Sequence, residues 1–318
     1  MKLNTIIDPD SKLKLYKKKI NLISKEGRIY RIIKNIPRFV KKDNYAKDFG
    51  FQWKKFSKTQ LDSHTGLSIS EKRVQKIFKN NLKKLKKKKI LEAGSGSGRF
   101  TEIFLKYKGL VDSFDYSNAV EANYKNNKNK NLTLVQADIR NIPFKNNYYD
   151  YVFCLGVLQH TPNTEESINS LWTMLKPDGE LFIDHYIFKW RTSLPPPIGQ
   201  ALNIYRLFIL FLPHSMRYKV VKSLVDFWFP IHWKLKNYRL IQKILRRISP
   251  VIFYYGVLKL KNKQMHYEWS LLDTHDSTTD TFKNKITKTK MLEILKKLGA
   301  KKIKISYGGN GIEVSCKK

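Results

Sequence analysis

Ile90 to Phe100 reads ILEAGSGSGRF. An apolar run and a carboxylate lead into three glycines at every second position, Gly94, Gly96 and Gly98, and then into Arg99 and Phe100. Glycine lets backbone approach a ligand closely and enters turns closed to residues with a Cβ. The spacing therefore predicts a strand, a bare turn and a helix, with a nucleotide-sized ligand lying on the turn. The dinucleotide fingerprint G-x-G-x-x-G would need its third glycine at position 99, where Arg99 stands. The pattern is G-x-G-x-G, and its ligand need not carry a pyrophosphate.

Outward from this turn, strand, turn and helix repeat. Apolar runs predict strands at Lys89 to Ala93, Leu110 to Asp115, Leu132 to Gln136, Tyr151 to Leu155 and Glu180 to Tyr186. Helices fall between them, at about Arg99 to Tyr107, Asn118 to Tyr124 and Thr164 to Leu175. "LKPDGE" (Leu175 to Glu180) ends the last of these and turns into the next strand. Such alternation means parallel strands joined by right-handed crossovers. "SLPPPIG" (Ser193 to Gly199) then opens a basic, aromatic, helical block. Lys288 to Leu298 reads as a helix, and strands at Lys301 to Tyr307 and Gly311 to Cys316, joined by "GGNG", close the sheet. The expected fold is α/β: a doubly wound, mostly parallel, seven-stranded, Rossmann-like sheet with a helical insertion and a small N-terminal extension. The expected parts are residues 1–42, short β-like pieces; 43–85, a helical lid; 86–192, the ligand-binding core; 193–275, the insertion; and 276–318, the closing helix and strands.

Composition narrows the setting. In 318 residues, 62 Lys and Arg stand against 26 Asp and Glu, a formal charge of +36 that attracts phosphates or an anionic membrane face. The excess is mostly Lys spread along the chain, as a broad compositional bias also gives, and only "LKKLKKKKI" (Leu82 to Ile90) is dense. Hydrophobic content of 42% with 13% aromatics excludes wholesale disorder. Cys154 and Cys316 stand far apart in apolar segments, which offers neither a disulfide framework nor a C-x-x-C metal site and fits a reducing cytoplasm. The longest greasy run, "LFILFL", is too short to span a bilayer, so the expectation is a soluble or at most peripheral protein.

In an open α/β sheet, ligands collect outside the carboxyl ends of the strands at the topological switch point. Glu92 and the glycine turn follow the first strand there, Asp115 ends the second, Asp138 follows the third in "VQADIR", and "CLGVLQH" follows the fourth. Asp115 lies 21 residues beyond Gly94, where a carboxylate accepts from ribose hydroxyls. Asp138 and the backbone at Ile139 suit an adenine, and Glu92 suits a cationic amino-acid end. The set describes a nucleoside joined to an amino acid. For each carboxylate taken singly, a helix cap or surface charge is the ordinary alternative.

"ILEAGSGSGRF", "DSFDYS", "VQADIRNIPF", "YDYVFCLGVLQHTPN" and "LKPDGELFID" together resemble the successive motifs of class I S-adenosylmethionine-dependent methyltransferases, of the type 11 kind, over about Lys86 to Tyr186. Flanking stretches, "IPRFVKKDNYAKDFGFQWKKFSKTQLDSHTGL" (Ile36 to Leu67) and "WSLLDTHD" (Trp269 to Asp276), resemble a subgroup whose N-terminus is often a zinc ribbon. No cysteine precedes Cys154 here, so the expectation is a degenerate ribbon without metal. The resemblance implies S-adenosylmethionine as cofactor. Glu92, Gly94, Gly96 and Gly98 would hold its methionine portion, Asp115 the ribose, Asp138 with Ile139 the adenine, and Gly156 and Leu158 the sulfonium side, with Tyr116 a further cofactor-binding residue.

His160, in "LQHTP", is the candidate catalytic residue, as a base or acceptor-orienting group, against the alternative that it packs beneath the cofactor. Asp184, His185, His275 and Asp276 are candidate acceptor contacts. "DTHD" suggests a metal, but such a run is ordinarily a solvated turn. "CLGV" lacks the Asn/Asp-Pro-Pro-aromatic clamp of amino methyltransferases, and Cys154 lacks the preceding proline of a nucleophilic cysteine. The sequence thus points to a methyltransferase acting on a small-molecule, saccharide or lipid-linked acceptor by O- or N-methylation, with the insertion as acceptor lid. Its rivals are an RNA methyltransferase, supported by the charge, and a non-catalytic binding protein.

Overall fold

The computed structural model describes residues 4–41, 44–79, 81–190, 194, 196 and 198–318. The expected boundaries at residues 42, 43 and 193 lie outside them. By contacts the chain forms two compact units, one of Met1–Ser57, Ser68–Ile187 and Phe282–Lys318, the other of Lys58–Leu67 and Phe188–Thr281.

The first unit begins with a four-stranded antiparallel sheet, β1 (Tyr16–Lys18), β2 (Asn21–Ile23), β3 (Ile29–Ile33) and β4 (Ile36–Pro37). Leu22 and Ile36 are fully buried beneath it. Past β4 the chain reaches the main sheet, where Phe39 N donates to Gln136 O at 2.8 Å.

The main sheet contains β5 (Lys89–Ala93), β6 (Leu110–Asp115), β7 (Leu132–Gln136), β8 (Tyr149–Cys154), β9 (Leu175–His185), β10 (Lys301–Gly308) and β11 (Gly311–Lys317), in the spatial order β10-β11-β9-β8-β5-β6-β7. The pairings among β5 to β9 are parallel, and β11 is antiparallel to both β9 and β10. This is the doubly wound, Rossmann-like sheet that the sequence pattern predicts. Its period-2 alternation sends Leu91, Val152, Leu181 and Ile183 into one core, while Ile90, Phe153 and Phe182 enter another with Phe78 and Phe104. The chain winds outward from β5 through β6 and β7, then returns to β8 on its other side, so the switch point lies between β5 and β8.

One local expectation changes. "LKPDGE" is part of the 11-residue strand β9, in which the register against β8 jumps from Tyr149↔Leu175 to Tyr151↔Glu180. The Pro-Asp-Gly kink, with Asp178 at φ 65°, is absorbed as a bulge because the chain rejoins the same ladder.

Between residues 43 and 85 lie helices Lys47–Lys55, Asp62–Thr65 and Ile69–Phe78 and a 3₁₀ turn, Leu82–Leu85. The stretch Lys58–Leu67 belongs to the second unit rather than to the core. That unit also contains helices Ala201–Phe211, His214–Lys234, Arg239–Ile248 and Lys263–Thr279. His232 pins it internally, with Nδ1 2.8 Å from Gln242 Oε1 and Nε2 2.9 Å from Ser249 Oγ. "DTHD" is helical rather than a turn, because it continues Lys263–Thr279 with Thr274 and His275 buried. The unit accordingly reaches past position 275 to Thr281.

Candidate active site

β5 carries Glu92 to the switch point, where it is 3% exposed. Thr101 Oγ1 donates to Glu92 Oε2, and Ser113 Oγ donates to the same oxygen at 2.8 Å. Oε1 is buried and has no protein partner. Burial in a poorly polarisable surrounding dominates over these hydrogen bonds and pushes the Glu92 carboxyl up to about 7. The network continues outward. Asn123 Nδ2 donates to Thr101 Oγ1, and Asn127 Nδ2 donates to Asn123 Oδ1 and Gly98 O, each at 2.9 Å. Glu92 is thereby tied to the last glycine of the turn.

The glycines are required by space as well as by φ. Gly94 and Gly98 sit at φ 75° and 92°. A Cβ on Gly94 would lie 2.2 Å from Val157 Cγ2, and one on Gly98 would lie 2.1 Å from Asn127 Nδ2. Gly96 faces the Trp53 indole, and its N–H donates to Asp115 Oδ2 at 2.8 Å. The intervening Ser95 and Ser97 hydroxyls are buried without protein partners.

Asp115 Oδ1 accepts from Ser117 N and Oγ at 2.8 and 2.7 Å. Burial raises its carboxyl pKa against these bonds and that from Gly96. Three of roughly four acceptor positions are used within the protein, which leaves capacity for one donor from a ligand. The neighbouring Tyr116 ring stacks on Tyr45 with centroids 4.7 Å apart. Asp138 is gripped by Arg140, whose Nη2 and Nε donate to Oδ2 and Oδ1 at 2.8 and 3.1 Å. Ile139 is buried beside it.

On the β8 side, Gly156 at φ 79° gives its N–H to Asp184 Oδ1 at 2.6 Å. Leu158 is fully buried in the 3₁₀ turn Leu158–His160. His160 Nδ1 lies 3.1 Å from the carbonyl of Phe282, an acceptor only, so in the neutral ring Nδ1 carries the proton and Nε2 is the basic nitrogen. Its ring meets Phe49 and Tyr186 at centroid distances of 5.2 and 5.5 Å. Asn284 fastens the same turn, with its N donating to Gln159 O at 2.8 Å and its Nδ2 to Thr161 O at 2.7 Å. The Gln159 side chain is fully buried, yet neither its Oε1 nor its Nε2 has a partner.

The remaining candidates are engaged within the protein or belong to the second unit. Asp184 is fully buried, paired with Arg73 and bound by Gly156 N, so its oxygens serve the protein. His185 has Nδ1 2.9 Å from Tyr186 O and Nε2 3.1 Å from Thr164 Oγ1, and burial lowers its pKa. His275 and Asp276 belong to the second unit, where the His275 ring lies 5.8 Å from that of Tyr218. Among the described residues no three His, Cys, Asp or Glu side chains gather as metal ligands. Cys154 is fully buried and its thiol is pushed well up by desolvation, which suits a packing role.

A switch-point cradle with a bare glycine turn and carboxylates in the last residues of the first two strands suits a nucleoside-bearing cofactor such as S-adenosylmethionine. Residues 91–183 match the family described as a methyltransferase domain. Over 101 residues the chain is 28% identical to a ubiquinone biosynthesis O-methyltransferase of Coxiella burnetii, covering 31% of this chain and 43% of that one. Over 153 residues it is 23% identical to the ubiquinone/menaquinone biosynthesis C-methyltransferase of Psychromonas ingrahamii, covering 45% and 59%. The chain thus spans about half the length of these curated relatives. Among solved structures, a putative S-adenosylmethionine-dependent methyltransferase of Methanococcus maripaludis aligns with TM-score 0.46 at 15% identity, over 88% of this chain and 96% of that one.

The residues present fit the cofactor. An acceptor without a partner, Glu92 Oε1, suits an ammonium, and two donors without partners, Ser95 Oγ and Ser97 Oγ, suit a carboxylate. At Gly94 and Gly98 a Cβ would fall on Val157 and Asn127, so these two glycines let the turn pack against its own supports.

Proposed function

We propose that the protein as a whole is a methyltransferase that moves the methyl group of S-adenosylmethionine to a small, predominantly apolar or lipid-linked acceptor. The observation that carries this reading is the set of buried polar atoms without protein partners at Glu92, Ser95 and Ser97. Leaving such groups unsatisfied costs about 1–3 kcal/mol each, so a polar ligand there restores what folding withholds. The names of the two curated relatives, both in quinone biosynthesis, support a lipid-linked acceptor; between them they cover O- and C-methylation.

S-adenosylmethionine supplies a methyl group already activated on a sulfonium, so the protein's work is alignment, exclusion of water and, for a protonated acceptor, removal of a proton. Glu92, Ser95 and Ser97 would hold the amino-acid end, Asp115 one ribose hydroxyl, and Asp138 with Ile139 the adenine. The Gly156 to Thr161 turn, in which Leu158 is buried and which Asp184 and Asn284 fasten, would flank the reacting side. His160, with its proton directed to the Phe282 carbonyl, presents Nε2 as the candidate base or acceptor-orienting nitrogen. Residues 1–42 read as a ribbon remnant without metal, supported by the small antiparallel sheet and the absence of cysteine; stoichiometric zinc that is lost on deleting them overturns this.

Calorimetry with S-adenosylmethionine and NADH tests the cofactor. Saturable binding of the former and none of the latter is expected, and the reverse refutes the reading. Incubation of the purified protein with a lipid extract and methyl-labelled cofactor then asks for label in the organic phase. Label confined to the aqueous small-molecule fraction refutes the lipid-linked acceptor while leaving the cofactor assignment intact.

A further inference from the structure

The second unit leaves large apolar side chains on its surface in an ordered pattern. In the helix Ala201–Phe211 the exposed ones are Ile204, Leu207, Phe208 and Phe211, which fall at i, i+3, i+4 and i+7 and so form one stripe. Phe208 is 69% and Phe211 88% exposed. The helix Arg239–Ile248 repeats the device with Leu240, Ile244 and Ile248, the first two 74% and 63% exposed. Each helix already buries its own residue, Ile209 in one and Leu245 in the other, so the outer stripes are surplus to the packing. Arg247 Nη1 donates to Gly199 O at 2.8 Å, just ahead of the first helix, which brings the end of the second helix to the start of the first. Scattered exposed apolar residues are ordinary, but contiguous stripes mark an interaction surface.

Charge decides the occupant. Residues 201–250 contain ten Lys and Arg and a single acidic residue, Asp226. That carboxylate is matched by Lys222 Nζ at 2.5 Å. Arg239, Lys243, Arg246 and Arg247 flank the second stripe, all exposed. A second copy of the chain would set cations against cations. A nucleic acid would use the charge and leave Leu240, Ile244 and Ile248 in water. An anionic bilayer surface satisfies both, with headgroups meeting the cations and the acyl boundary taking the apolar stripe. No helix among the described residues is long and apolar enough to cross a membrane, so these helices would lie in its plane.

We propose that the second unit docks on an anionic lipid surface through the stripe Ile204, Leu207, Phe208 and Phe211 and the basic amphipathic helix Arg239–Ile248. The proposal rests on this unit alone and stands whether or not the methyl acceptor is lipid-linked.

Flotation of the full chain with phosphatidylcholine vesicles, with and without phosphatidylglycerol, tests it. Each basic residue near such a surface contributes about fivefold, so partitioning to the anionic vesicles should exceed that to neutral ones by at least tenfold and fall as salt rises. Phe208→Glu with Phe211→Glu should lower partitioning about tenfold or more without moving the melting temperature, since both side chains are exposed. Lys243→Gln with Arg246→Gln should lower it about 25-fold on anionic vesicles only. Equal partitioning to both vesicle types, or full retention in the phenylalanine variant, overturns the proposal. So does a native dimer that this variant dissociates, or a single-stranded RNA that competes with vesicles and whose binding is weakened equally by both variants.

Discussion

Glu92→Gln isolates the carboxylate on which the cofactor reading turns. The ordinary glutamate value is 4.5, and burial raises it to about 7 in the folded chain. At ~1.4 kcal/mol per pH unit, that interval corresponds to about 3 kcal/mol. The direction follows from proton counting. Between pH 4.5 and 7 the folded state holds a proton that the unfolded state has released. The contribution of Glu92 to stability is therefore full below pH 4.5, declines as pH rises to about 7, and is flat above. Asp8, Asp150 and Glu121, whose values are lowered in the fold, act in the opposite sense, so only the difference between wild type and variant reports Glu92. Urea titrations of both proteins from pH 4.5 to 8 should show the variant gaining about 3 kcal/mol on wild type across that range. Cofactor binding supplies an independent readout. An ammonium beside Glu92 Oε1 favours the ionised form, so wild-type affinity for S-adenosylmethionine should fall towards tenfold per pH unit below about 7, with a proton released on binding. The variant should bind more weakly and without that slope. A stability difference flat in pH, or a proton taken up on binding, refutes the reasoning.

Gly98→Ala drives a Cβ to 2.1 Å from Asn127 Nδ2 at φ 92°, and should cost about 2–4 kcal/mol in calorimetric unfolding together with cofactor affinity. An unaltered melting temperature would remove the Asn123 to Asn127 network from the account. Asp184→Asn leaves the Arg73 guanidinium without its buried counter-charge and should destabilise by about 3 kcal/mol in urea, while cofactor affinity changes little. An acceptor KM that rises with stability unchanged would return Asp184 to the substrate. His160→Ala should lower turnover by about 100-fold with cofactor affinity intact, the deficit shrinking as pH rises. Affinity and melting temperature falling together, with the pH profile unmoved, would make His160 a packing residue.

The sheet was legible because its central strands are buried on both faces and its turns carry glycine, proline and asparagine, signals that act over five to ten residues. The glycine turn was legible for the same reason. Three features were not, and two of them depend on residues far apart in sequence. The partners of Glu92 sit at Thr101 and Ser113, and the former is held from Asn123; no spacing rule joins a strand, a helix and a second crossover in this way. Arg140 reaches back two residues to close on Asp138, which a reading in terms of adenine alone did not weigh. The fastening of the β8 turn by Asn284 and Phe282 comes from 123 and 122 residues away. Gln159 shows what this long-range assembly adds. In sequence it is one polar residue between Leu158 and His160; in the fold it is fully buried, with its backbone carbonyl taken by Asn284 and both side-chain atoms left over. A buried amide of that kind costs stability unless something polar arrives to pair with it. The polar atoms without protein partners at Glu92, Ser95, Ser97 and Gln159 lie at or just beyond the ends of β5 and β8, the two strands that flank the switch point. The first three lie where the sequence placed the cofactor, and the fourth lies in the 3₁₀ turn that carries His160, so the groups that folding leaves unpaired are gathered at this end of the sheet.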